Sequence, residues 1–246
     1  MQIIQAFAVK NKCYQAATPL MPHGIMLHSV GTPQPSAAVF ARSFNQYQPG
    51  GASVCVHAFA QADGTVYQTL PWEMRGWHCG GSANSTHIGV EMTDPSAGMT
   101  RSEAAEQIAG TYRTVVELFA ELCKQYELDP AQDGVIIGHA EGHRRGAASN
   151  HADPELLWRT YDMGYTMDGF RRDVAEAMAK EDREEVPDMP RYDSVAEMPQ
   201  WARADAQRLI DRGALQGNTD GKLDVSEDML RTMIVCQRMV DEQKET

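Results

Sequence analysis

Long apolar runs are missing from this sequence: none approaches the roughly 18 residues a membrane-spanning helix needs. The first ten residues, Met1 to Lys10, have no basic start followed by a sustained apolar core, so they do not read as a secretory signal. Basic residues are also in deficit. There are 22 Lys and Arg against 34 Asp and Glu, a formal net charge of −12. Non-specific nucleic-acid binding depends on neutralising phosphates, and it is disfavoured here, as is attraction to an anionic membrane. No C-x-x-C pair occurs. The five cysteines (Cys13, Cys55, Cys79, Cys123 and Cys236) form an odd, scattered set. That pattern fits free thiols made in a reducing compartment, each a small buried hydrophobe.

What is present is ordinary for a globular chain: 246 residues, 42% hydrophobic and 23% charged. The length suits one sizeable domain and a small second one. The stretch from Ile137 to Pro154 organises the rest, because it holds three of the eight histidines, His139, His143 and His151, and ends in Asp153-Pro154. The run Val135-Ile136-Ile137 reads as a short buried strand. His139 then leaves a strand end, a Gly- and Ala-rich loop follows, and His151 and Asp153 arrive just before a helix. Imidazole and carboxylate together suit a first-row metal such as zinc. A catalytic zinc needs three protein ligands; this loop offers two, so the third must come from elsewhere.

Upstream, Gly24 to Ser29 reads as a strand delivering His28, and Ser36 to Gln46 as a helix ended by Pro49-Gly50-Gly51. Ser53 to Ala60 and Thr65 to Thr69 read as a hairpin turning at Asp63-Gly64. Gly76 to Ser82 is a Gly-rich loop with Trp77-His78, and Thr86 to Met92 is a central strand with Glu91 near its end. Thr100 to Tyr126 is the clearest helix: Thr100 and Glu103 form a capping box, and Ile108, Tyr112, Val115, Phe119, Leu122 and Tyr126 make one apolar stripe. Helices follow over Pro154–Tyr161 and Asp168–Ala179.

The charged, proline-containing stretch 181–190 reads as a linker. Beyond it, 191–246 reads as a small αα domain. Its helices run over Pro199–Arg212, stopped by Gly213, and Ser226–Asp241, with Leu230, Met233, Ile234 and Val240 as core candidates. At about 55 residues it lies near the lower limit for folding alone. Residues 1–180 read as an α/β domain, a central mixed β-sheet flanked by helices. His28, Glu91 and His139 all end predicted strands, where ligands gather in such sheets.

Each of these residues also has a plainer reading. His28 and His139 suit a hydrogen-bonded core, and Asp153 suits a helix cap before Pro154. Glu91 could pair with Arg75 or Arg101. His57 and His78 could be packing residues, and Trp77 is equally a core residue or a sugar platform. His143 reads as loop surface; His23 and His87 read as structural.

The ordered set of motifs decides more than any one of them. Gly24-Ile-Met-Leu-His28, Val56-His57 before the Asp63–Gln68 hairpin, Trp77-His78, Ile88-Gly-Val-Glu91, and Gly138-His139 followed by His151-Ala-Asp153-Pro154 occur in sequence. Over roughly 1–180 the chain resembles the type 2 zinc-dependent N-acetylmuramoyl-L-alanine amidases, which share the peptidoglycan-recognition-protein fold and are common as phage endolysins. The resemblance implies zinc ligands at His28, His139 and Asp153, a general base at Glu91 and an oxyanion donor at His151. It also implies wall-lining or substrate-binding positions at His57 and His78, and Trp77 beside them is a further substrate-binding candidate. Where other branches carry Tyr beside the His57 position, this chain has Val56, which leaves more of the base role to Glu91.

The implied partner is bacterial peptidoglycan, with no nucleic acid and no membrane. The implied location is cytoplasmic at synthesis, followed by release to the wall through a separate membrane pore (a holin). The C-terminal unit resembles surface-layer-homology-like αα modules, which implies wall attachment or self-association as a homo-oligomer. A non-catalytic recognition module of the same fold is the rival reading, usually marked by loss of a zinc ligand; all three positions are filled here. A metallopeptidase acting on the stem peptide lacks its H-E-x-x-H helix.

Overall fold

The structure, a computed structural model, describes residues 1–46, 54–184 and 190–242. It divides into two compact units, Met1–Glu181 and Asp182–Thr246. No described helix is long and apolar enough to cross a membrane.

Among the described residues the first unit is built on six strands and six α-helices: β1 (Gln2–Gln5), α1 (Lys12–Ala16), β2 (Gly24–Ser29), α2 (Ala37–Phe44), β3 (Ala58–Ala60), β4 (Thr65–Gln68), β5 (His87–Met92), α3 (Arg101–Gln125), β6 (Ile136–Gly138), α4 (His139–Arg144), α5 (Glu155–Thr160) and α6 (Met167–Glu184). The sheet order is β1-β4-β3-β5-β2-β6. The β3–β4 hairpin is antiparallel and every other pairing is parallel, which makes the sheet mixed. Gly64 turns the hairpin at φ +86°, a conformation glycine adopts without a side-chain clash.

Strand periodicity sorts the side chains between two layers. Ile25 and Leu27 of β2, Ile88, Val90 and Met92 of β5, and Ile136 of β6 face one core with Ile108, Val115, Phe119 and Phe170 of α3 and α6. Met26 and Ile137 pack in a second cluster with Cys79 and Ala83, and Phe59 in a third with Ala37 and Val56. β2 is therefore buried almost throughout, as parallel strands covered on both faces are. The α3 capping box forms as the sequence indicates, with Thr100 and Glu103 exchanging hydrogen bonds.

Several expectations need correction. β1 pairs in parallel with β4, although its exposed polar ends gave no strand signal. The expected strand from Ser53 shrinks to Ala58–Ala60, with Cys55 held separately in a bridge to Trp77. Ser53 and the Pro49-Gly50-Gly51 stop lie outside the described residues. His139 does not open a loop: it opens α4, because the Glu141 carboxylate accepts from the Gly138 amide at 3.2 Å and Arg171 grips that carboxylate from α6. The stretch read as a linker begins as helix, since α6 runs to Glu184; residues 185–189 of it lie outside the described residues.

The second unit contains β7 (Arg191–Tyr192), α7 (Gln200–Asp211), β8 (Val225–Ser226) and α8 (Glu227–Glu242). The αα reading missed the two-residue antiparallel strands. Met198, Ala202, Ala206, Leu209, Leu215, Val225, Leu230 and Ile234 form its core, with Met233 at the edge. Gly213 ends α7 at φ +72°. The side chain of Val240 lies outside the described residues.

Candidate metal centre

Three backbone segments converge where β2 and β6 end. β2 carries His28, only 1% exposed, and β5 carries Glu91 at the same register position. The β6–α4 junction carries His139. The segment after α4 returns to bring Asp153 back, where its carbonyl accepts from the Ala140 amide at 3.2 Å and its carboxylate from the Ser29 amide at 3.4 Å. Side chains more than a hundred residues apart thus meet. His28 Nδ1 lies 3.0 Å from His139 Nδ1, and Asp153 lies 3.3 Å from His28 and 3.5 Å from His139.

This donor set fits a small divalent cation. Nitrogen and oxygen ligands at about 2.0–2.2 Å from a tetrahedral zinc stand roughly 3.3 Å apart, and the observed 3.0, 3.3 and 3.5 Å bracket that figure. Among the described residues this is the group of His, Cys, Asp and Glu able to hold a metal ion. The charge state of His28 agrees. Burial pushes the His28 imidazole below its ordinary value, toward the neutral form a metal requires.

Glu91 faces the same cleft. Its Oε2 is buried and has no hydrogen-bond partner among the described residues. Burial first, then the charges of Asp153 and Asp94, hold its carboxyl well above the usual range. Neither suggested partner reaches it: Arg75 bonds Ser85, and Arg101 pairs with Asp162. Asp94, which the sequence reading did not single out, is pushed up to about 7 by burial and by Asp153.

The cleft has a volume of about 450 Å³, with Trp77, His78 and His151 among the side chains that line it. His57 is not among them. It is fully buried, with Nε2 on the Met74 carbonyl at 2.7 Å and Nδ1 accepting from the Gly89 amide at 2.9 Å. Both ring nitrogens are spent on backbone, so the substrate-binding expectation for His57 is corrected to a supporting place. Burial pushes its imidazole down to about 4. His78 lies between, with Nδ1 2.9 Å from His28 Nε2. Its ring lies over Gly89, where an added Cβ would stand 2.4 Å from it. His151 is exposed, and its ring centroid is 4.6 Å from that of His139. Ser149 was missed by the sequence reading. Its hydroxyl touches both His139 and His151, at 3.3 and 3.1 Å.

The family described as N-acetylmuramoyl-L-alanine amidase matches residues 18–156, more than half of the 246-residue chain, and that span includes every residue that lines the cleft. The chain belongs to this amidase family. No curated protein matches the chain. Among solved structures, the hydrolase AmiA of Staphylococcus aureus in complex with its ligand is 19% identical with a TM-score of 0.58, covering 76% of this chain and 88% of that one. The catalytic domain of XlyA is 21% identical with a TM-score of 0.53, covering 71% of this chain and 99% of that one. A mutant endolysin from Bacillus subtilis gives 21% and 0.51, over 71% and 99%. At these identities the likeness establishes a shared amidase fold. The C-terminal unit of this amidase lies outside the residues the family matches.

Proposed function

We propose that the protein is a zinc-dependent peptidoglycan amidase that hydrolyses the bond between N-acetylmuramic acid and L-alanine of the stem peptide. One observation carries the reading: among the described residues, two imidazoles and a carboxylate converge within 4.8 Å of one another beside a buried carboxyl oxygen that has no partner. The amide to be cut is unstrained, so the attacking water needs activation. His28, His139 and Asp153 would hold the zinc, which when bound would supply a water of lowered pKa and polarise the scissile carbonyl.

The chain's own groups do the rest. Glu91, whose buried Oε2 faces the cleft with no hydrogen-bond partner among the described residues, takes the proton from the attacking water and returns it to the departing amine. His151 stands on the exposed side of His139, where a donor faces the developing oxyanion; such a donor is typically worth about 3 kcal/mol. Trp77 and His78 form the wall along which the substrate lies. We further propose that the chain serves as an endolysin of phage origin released through a membrane pore. Its C-terminal unit serves wall attachment or self-association.

Dye release from purified cell walls, with and without chelator, tests the activity. Mass spectrometry of the soluble fragments should find free stem peptides that begin with L-alanine. Walls bound but left uncut would favour a non-catalytic recognition module instead.

A further inference from the structure

The ligand imidazoles are held from behind, and the holding groups dictate which nitrogen carries the hydrogen. His78 Nε2 lies 3.1 Å from the His87 carbonyl oxygen, which can only accept. His78 therefore carries its hydrogen on Nε2. Its Nδ1 is then the acceptor of the ring. That bare Nδ1 accepts from His28 Nε2 at 2.9 Å. His28 then offers a lone pair on Nδ1.

A second arm does the same for His139. The single hydroxyl hydrogen of Ser149 is committed to the Cys79 carbonyl at 3.0 Å. The Ser149 oxygen can then only accept, and it does so from His139 Nε2 at 3.3 Å and His151 Nδ1 at 3.1 Å. His139 also offers a lone pair on Nδ1. The two Nδ1 atoms face each other at 3.0 Å, so at most one hydrogen fits between them. Both arms start from one side chain: Asn84 Oδ1 accepts from the His78 and Cys79 amides at 2.9 and 3.0 Å, setting the His78 ring and the Cys79 carbonyl together.

We infer that His78 and Ser149 are positioning residues that lock His28 and His139 as Nε2–H tautomers and so aim two bare Nδ1 atoms, with Asp153, at one cation. Ser149 also orients His151, which ties the metal ligand to the group proposed to meet the oxyanion. The inference rests on the zinc reading above. Outer partners of metal-bound histidines typically account for about 10–100-fold in metal affinity.

The test uses the full chain. Nitrogen-15 NMR of labelled histidines in the metal-free protein at pH 8 should show both His28 and His139 as Nε2–H tautomers. In Ser149→Ala, His139 alone should become a mixture; in His78→Phe, His28 alone should. Zinc affinity, measured by competition with a chromophoric chelator, should fall about 10–100-fold in each. His78→Asn, whose side-chain oxygen replaces the Nδ1 acceptor, and Ser149→Thr should recover most of that loss. A hydrogen on Nδ1 of either ligand in the unaltered metal-free chain overturns the inference. So does a folded Ser149→Ala protein that binds zinc as tightly as the parent. An unaltered chain that binds no zinc overturns the metal reading instead, while the tautomers, read without metal, still decide this one.

Discussion

His28 and Glu91 occupy the same register position on the adjacent parallel strands β2 and β5. Side chains at one register position share a face of the sheet, so the fold sets an imidazole of the candidate metal centre and a carboxyl side by side with no loop between them. Rigid strands hold such a pair more closely than loops do. Asp153 and His139 are then brought to it by the α4 turn and the segment that follows.

Replacing Glu91 separates the metal from the chemistry. Glu91→Gln should keep its zinc and lose about 10²–10⁴-fold in turnover. Its melting temperature should hold or rise, because the variant removes a buried carboxyl crowded by Asp153 and Asp94. Wall-lysis rates, metal analysis and calorimetry on one preparation check all three. Full activity would remove Glu91 from the mechanism.

Metal removal should cost both activity and stability. A ligand that binds only the folded chain stabilises it by about 4 kcal/mol at a thousandfold excess over its Kd. Chelator should therefore abolish wall lysis and lower the melting temperature by several degrees, and added zinc should restore both. Asp153→Asn should show little response to zinc in the same melt.

Acid should destabilise the fold through its buried imidazoles. His57 falls from an ordinary value of 6.5 when unfolded to about 4 when folded. Between those values the unfolded chain binds more protons, so stability falls as pH falls. The contribution is complete above pH 6.5 and is lost toward pH 4, an order of about 3 kcal/mol. Asp94 acts in the opposite sense: held at about 7, it favours the fold in acid and loses that effect as pH rises through 7. Urea unfolding of metal-free protein from pH 4 to 8 should show a shallower acid slope in His57→Gln than in the parent. Equal slopes would remove His57 as a cause.

A chain ending at Glu184 should fold and cut walls, because Phe170 and Val174 of α6 stay in the core of the first unit. Its retention on intact walls should be weaker, read by co-sedimentation. A truncated chain that fails to fold would show that the first unit needs the second.

The sequence showed best what local chemistry decides. Thr100 and Glu103 announce the start of α3, and the apolar runs of β2 and β5 mark the buried strands that carry His28 and Glu91. Asp153 was harder, because next to Pro154 it is indistinguishable from a helix cap, and only the ordered motifs assigned it to a metal. α4 was hidden because Gly and Ala in 138–148 suggest a loop, while the carboxylate grip of Arg171 that supports the helix comes from 30 residues away. Ser149 had no local signal at all. Its role depends on Cys79, 70 residues earlier in the chain. His57 looked like its neighbours in sequence, yet two backbone contacts turned it inward.

β2 is hydrogen-bonded on one edge to β5 and on the other to β6, and its side chains are covered on both faces. Amides in such a strand exchange with solvent only when the whole unit opens. The strand bearing His28 should accordingly be among the slowest to take up deuterium. The cleft thus has a floor fixed by strand pairing beneath an exposed rim at His151.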